Sequence, residues 1–456
     1  MYKKILIASL ALIAGLASCK KDDPTPSPNP PSTLTIDGVA SSLEFYQLDT
    51  AHLSVAGVAK DAAAKAVWVV NGAKAAEGAT FDFTTAHPGK YEITLTVDGK
   101  SAKHTYTVAP RFSEGAFLLN EGNFGNETGS LTYIHPSKKL VIDQAYYRVN
   151  GTKLGNVCQD LAFGNDQIYI LSQLGPKNGG EGLLTIANSH SLEKVKVYND
   201  EALAQSTPTH IAVLRDHIYI RTERDGILRG SSEGGFTPIT GTKKALKQRM
   251  AQIGERLFAL TKDNKVLMIQ GTQVVRELDL SPAKPSGIAV SHDGKLWVST
   301  TSPNAILKVD PTPDNFVALD THILDKSISA TGPESWQRTT SSAFFAHGDK
   351  LYFTGQSSVI YCHDFATSKT SQVIDVKTID GVGTSANKYY NSLGVDPSTG
   401  ELYYAAFEDF STYNKKNVTM VLKADGTKLL LKEKVNSFPA GFFFIPNAAS
   451  RTGANR

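Results

Sequence analysis

The chain has 456 residues, and its 47 Lys and Arg stand against 44 Asp and Glu. The resulting net charge of +3 gives no field strong enough to argue for nucleic acid. Three cysteines in a chain of this length are no disulfide framework, and no segment after the first eighteen residues is apolar for long enough to span a bilayer.

Residues 1–18 read as a secretory signal: Lys3 and Lys4 are its charged start, Ile5 to Leu16 its short apolar run, and Ala17 and Ser18 its small-residue end. The order Leu16-Ala17-Ser18-Cys19 resembles the bacterial lipobox, which implies lipidation of Cys19 and a membrane anchor held by acyl burial of roughly 0.8 kcal/mol per CH₂. Lys20-Lys21-Asp22-Asp23 after that cysteine resembles the signal that sends Bacteroidota lipoproteins to the outer face of the outer membrane. The expected location is therefore the outer membrane, lipid-anchored and exposed at the cell surface. Pro24 to Ser32 is too poor in apolar residues to fold, and its prolines make residues 19–32 a semi-rigid tether.

Residues 33–110 alternate short apolar strands with turns: Leu34 to Ile36, Ala51 to Val55, Ala66 to Val70, Phe81 to Phe83, Tyr91 to Val97 and Thr105 to Val108. Asn71-Gly72 and Asp98-Gly99 are hairpin signals, so the spacing predicts a small β-sandwich. Val67-Trp68-Val69-Val70-Asn71-Gly72 and the later Pro88-Gly89-Lys90-Tyr91 resemble immunoglobulin-like PKD modules, which implies core and corner roles for Trp68 and Tyr91 and a spacer role for the module.

From residue 115 to 447 the chain repeats an apolar strand, a polar turn and an aromatic-rich strand. The pairs are Asp160 to Phe163 with Gln167 to Ile170, His210 to Val213 with His217 to Ile220, and Met250 to Ile253 with Arg256 to Ala259. Gly287 to Val290 with Lys295 to Val298, Ala343 to Ala346 with Lys350 to Phe353, and Leu393 to Val395 with Glu401 to Tyr404 continue the series. Two further strand-like stretches follow each pair, as in a propeller blade. Ala440 to Phe444 matches a first strand and Ala116 to Asn120 a second, which makes a seventh blade from the two ends. The fold class expected is all-β: an Ig-like sandwich, then a seven-bladed β-propeller closed by pairing its terminal segments, with residues 448–456 a disordered tail.

In such a ring the loops entering first strands and those leaving second strands share one face, where aromatic surface and amides suit a large, partly polar small molecule. The candidate ligand residues on that face are Glu121, Asn123, Phe124, Tyr147, Arg148, Gln159, Asp160, His210, Arg224, Trp336, Tyr389, Tyr390, Asn391 and Phe410. No HExxH, GxSxG, Walker A or CxxC motif is present, so a noncatalytic role without a cofactor is expected. A metal-dependent lactonase or lyase is the alternative, with Glu121, Asp160, Asn391 and Asp409 as oxygen ligands to Ca²⁺. A glycan-binding or cell-surface protein-binding propeller is another, because exposed Trp and Tyr rings also stack on sugars.

Phe117-Leu-Leu-Asn-Glu-Gly-Asn-Phe-Gly125 with Gly129-Ser-Leu-Thr-Tyr133 resembles the opening of YncE-like propeller lipoproteins of Bacteroidota. The resemblance, which covers about residues 115–447, is to a family whose BtuG-type members capture vitamin B12 and other corrinoids and pass them to a TonB-dependent transporter. It implies a corrinoid as ligand rather than as cofactor, and a TonB-dependent outer-membrane transporter as partner. It places no corrinoid contact on particular residues, so the ligand residues above rest on topology.

Overall fold

The structure, a computed structural model, describes residues 33–39, 44–328, 343–355 and 357–446. The expected signal, Cys19 with its tether, and the tail lie outside the described residues. The chain is all-β, and its described helices are short, none of them long and apolar enough to cross a membrane. It divides into two compact units, a smaller one that includes Ala51–Phe83 and Tyr91–Tyr106 and a larger one that includes Thr107–Arg456.

The N-terminal strands form a three-stranded sheet (Thr35–Asp37, Thr50–Ala56, Thr80–Thr84) and a five-stranded one (Phe45–Tyr46, Lys100–Ala109, Gly89–Val97, Val67–Val70, Ala73–Glu77). Trp68 of the second sheet is fully buried, 5.6 Å from the Phe81 ring of the first, and its indole N–H donates to Gly78 O at 2.9 Å. Phe83 stacks on Tyr106 at 5.2 Å and meets Tyr91 at 5.5 Å. Both hairpin signals work as expected: Asn71 and Gly72 (φ 48° and 83°) and Asp98 and Gly99 (φ 47° and 77°) adopt the left-handed conformations of a tight two-residue turn.

In the larger unit the described residues form seven four-stranded antiparallel sheets. Six are meanders of consecutive strands, whose first strands are Cys158–Gly164, Pro208–Leu214, Ala251–Ile253, Lys284–Val290, Phe344–His347 and Leu393–Val395. The remaining sheet joins distant segments: Pro439–Phe444 pairs antiparallel with Ala116–Asn120, which continues to Ser130–His135 and Leu140–Ile142. Each sheet buries both faces against its neighbours. Phe117, Leu161 and Ile168 fill one such layer, Tyr169, Ile211 and Ile220 the next, and Trp297, Phe344 and Phe353 a later one. Burial on both faces explains why second strands such as Ala116–Asn120 and Leu402–Phe407 are buried throughout and read as apolar runs rather than alternating ones. The fourth strands are less buried, and Ala318–Ile323 is mostly exposed.

Four of the first strands carry a register break at the same place, between Cys158 and Asp160, Pro208 and His210, Pro285 and Gly287, and Pro439 and Gly441. The residues left over, Gln159, Thr209, Ser286 and Ala440, are all buried. A bulge of this kind re-aims the side chains beside it, and here it lies next to Asp160 and His210.

Candidate functional site

The loops leaving second strands and those entering first strands meet. Glu121, directly after Ala116–Asn120, donates its backbone N–H to Phe438 O at 2.7 Å, and the Asn156 amide donates to Asn123 O at 3.1 Å. Two environments result, one turned inward and one facing water.

Glu121, Gln159, Asp160, His210, Tyr390 and Asn391 are buried. The Tyr390 hydroxyl donates to both carboxylate oxygens of Glu121, at 3.0 and 3.1 Å. Burial pushes the Glu121 carboxyl up to about 8, against the smaller opposing pull of Lys247 and the Tyr390 hydrogen bond. Burial and the Glu121 charge also raise the Tyr390 phenol and the Cys158 thiol. Asp160 accepts Arg249 Nε at 3.0 Å and the Ile211 N–H at 2.9 Å; burial raises its carboxyl while the guanidinium pulls the other way. Arg249 also donates to Phe442 O and Ala440 O, both at 3.3 Å, and lies 3.9 Å above the Phe443 ring. Gly441 makes this approach feasible, since a Cβ there would stand 2.2 Å from Arg249 Nη2. Asn391 donates to Pro439 O at 2.8 Å, and His210 Nδ1 lies 3.0 Å from Thr209 Oγ1. The Gln159 side-chain oxygen has no hydrogen-bond partner among the described residues.

Phe124, Tyr147, Arg148 and Arg224 are exposed. Phe124 keeps 64% of its surface and Tyr147 46%. Lys177 Nζ sits 3.6 Å from the Phe124 ring centroid, and the Arg148 guanidinium is held by Asp143 O at 2.8 Å. Asn123 caps its own turn by accepting the Gly125 N–H at 2.8 Å. Beside these loops lies a hollow of about 250 Å³ lined by Asn126 to Leu131, Gln144, Tyr146, Tyr147, Lys153 and Leu154. Tyr146 forms its floor, with its hydroxyl on Glu181 at 2.9 Å.

Phe410 and Tyr390 belong to an aromatic cluster with Phe407, Tyr413 and Phe438. Tyr389 is half-buried, with Lys377 Nζ 5.9 Å from its ring. Trp336 lies outside the described residues. Each oxygen ligand to Ca²⁺ of the alternative reading has another partner: Glu121 accepts from Tyr390, Asp160 from Arg249, Asn391 donates to Pro439 O, and Asp409 accepts the Ser411 N–H at 3.0 Å. No three His, Cys, Asp or Glu side chains among the described residues are grouped to hold a metal ion. Cys158 and Cys362 are free thiols. Arg249, which enters a first strand, and Tyr146, beside Tyr147, belong by topology to the same expected face though not to the candidate ligand residues, whereas nothing in the sequence signals Lys177.

A family model described as a domain of unknown function, DUF5074, matches residues 114–445. Among solved structures the chain is similar to a quinonprotein alcohol dehydrogenase-like protein of Bacteroides thetaiotaomicron, at 16% identity over 88% of this chain and 96% of that one, with a TM-score of 0.57. It is also similar to a protein of Lactobacillus plantarum, at 14% identity over 73% and 99% of the two chains, with a TM-score of 0.47. No curated protein matches. The first likeness shows the fold alone, which is of the β-propeller type.

Proposed function

We propose that this chain, which belongs to the DUF5074 family, is a noncatalytic surface lipoprotein that captures a ligand on the loop-bearing face of a seven-bladed propeller and passes it to a TonB-dependent transporter. The two chain ends close that propeller, an Ig-like module spaces it from the membrane, and Cys19 anchors it. Support for closure comes from the pairing of Pro439–Phe444 with Ala116–Asn120 and from the Arg249 bonds to Ala440 O and Phe442 O.

One observation carries the binding role: two large rings, Phe124 on a loop and Tyr147 on the short helix Ala145–Asn150, stand exposed on connections that line or flank the hollow at Asn126 to Leu131. Aromatic faces supply contact area, and the surrounding amides and carboxylates fix orientation. A corrinoid is the ligand that the YncE-like opening implies, and its broad, partly polar ring suits such a surface. Calorimetry of the soluble protein with cyanocobalamin tests this. The expected result is saturable heat that weakens at least about tenfold in Phe124→Ala/Tyr147→Ala, since hot-spot aromatics contribute roughly 2 kcal/mol or more. No heat from folded protein at micromolar concentration overturns the corrinoid assignment. A glycan array positive beside a cobalamin negative would turn the same rings to sugar stacking.

A further inference from the structure

Between the first strands lies a cavity of about 430 Å³, separate from the loop hollow. Its wall includes side chains that the fold leaves half-buried, among them Phe163, Met250, Ile288, Val290, Phe345 and Phe444. Large apolar groups are ordinarily driven into a core, so gathering them round one hollow leaves surface that an apolar molecule would cover better than water does.

Arg249 stands in the same wall. A guanidinium carries five N–H donors, and three of these go to Asp160, Phe442 O and Ala440 O. One N–H remains on each Nη, and the side chain keeps 23% of its surface. Asp160 already balances the charge of Arg249 at 3.0 Å. A ligand anion here would bring an uncompensated charge into an apolar hollow, whereas a neutral acceptor would not.

We propose that this cavity binds a small neutral molecule with an apolar body and a single carbonyl head, the carbonyl accepting from Arg249 and the body lying among Phe163, Phe345 and Phe444. The site differs in place and in ligand class from the hollow beside Phe124 and Tyr147, so either can stand without the other.

Ligand-observed NMR and calorimetry on the folded protein test it with 2-nonanone as probe and octanoate as its charged counterpart. Saturable binding of 2-nonanone is expected, with octanoate weaker by at least about tenfold, the weight of about 1.4 kcal/mol of uncompensated charge. Val290→Trp, which fills the hollow without touching the ion pair, should abolish 2-nonanone binding. Arg249→Lys, which keeps the charge but loses the planar fork, should weaken it about tenfold. Absence of saturable 2-nonanone binding, unchanged binding in Val290→Trp, or equal affinity for octanoate would each overturn the proposal. Should Arg249→Lys fail to fold, the Val290→Trp and octanoate results decide it.

Discussion

Replacing Glu121 by Gln should stabilise the protein in alkaline solution and leave it nearly unchanged in acid. The carboxyl is buried and accepts from the Tyr390 hydroxyl, and burial raises it from 4.5 to about 8. Between those values the folded chain holds one proton more at this position than the unfolded chain, so stability falls as pH rises, by ~1.4 kcal/mol per pH unit. Across the whole window the loss reaches about 4–5 kcal/mol, and above about pH 8 it levels off because the folded state ionises too. Gln keeps the shape and an acceptor for Tyr390 but has no proton to lose. Urea unfolding of both proteins in steps from about pH 4.5 to about pH 9 isolates the effect, because titrating groups remote from Glu121 cancel in the difference. The variant's advantage should be small at the acid end and grow to about 4 kcal/mol near pH 8. A difference that stays flat would mean that the folded carboxyl ionises like an exposed one. A difference of the opposite sign would mean that Lys247 holds it charged. Either result refutes the reasoning.

Gly441→Ala should cost about 2–4 kcal/mol, since φ is +139° and the added Cβ would push Arg249 from Asp160 and leave a buried carboxylate without its partner; denaturant unfolding reads the loss. Asn417→Asp should cost at least about 3 kcal/mol at neutral pH. The Asn417 amide donates to Tyr413 O at 2.7 Å and Asn436 O at 2.9 Å, while its oxygen accepts the Val435 and Asn436 N–H groups at 3.1 and 3.3 Å. A carboxylate would face those two carbonyls with no proton to offer, and part of the loss should return in acid, where the protonated form can donate to one of them. Urea unfolding of this variant at neutral and acidic pH checks both halves.

The strands of the larger unit were legible because each hairpin repeats the same apolar pair round a polar turn. Gln167 to Ile170 and His217 to Ile220, expected from that pattern, lie within Gln167–Ser172 and His217–Thr222. Three first strands start earlier than the pattern predicts: expected from Asp160, His210 and Gly287, they begin at Cys158, Pro208 and Lys284. The cause is the bulge at each start, which adds a residue and breaks the alternation on which the reading depends. The candidate residues were read as one polar and aromatic face, but composition cannot tell a side chain turned inward from one turned out. Glu121 finds Tyr390 across 269 residues, and Asp160 finds Arg249 across 89, so neither partner has a local signal. Phe124 and Tyr147 differ in nothing local from Phe410 and Tyr389; only packing shows which rings remain in water.

The sheet shared by Ala116–Asn120 and Pro439–Phe444 has a consequence for how the chain is made. A chain emerging N-terminus first presents Ala116–Asn120 early, yet that strand's inner edge has no partner until Pro439–Phe444 arrives. Until then that edge is open to foreign pairing, and the late strand brings Phe442, Phe443 and Phe444 to an edge of its own until the two pair. Contacts that span so much sequence also form slowly. Synthesis of such a chain therefore favours a chaperone that shields the early strands to its end, and a cut or stalled product lacking Pro439–Phe444 would be the aggregation-prone species.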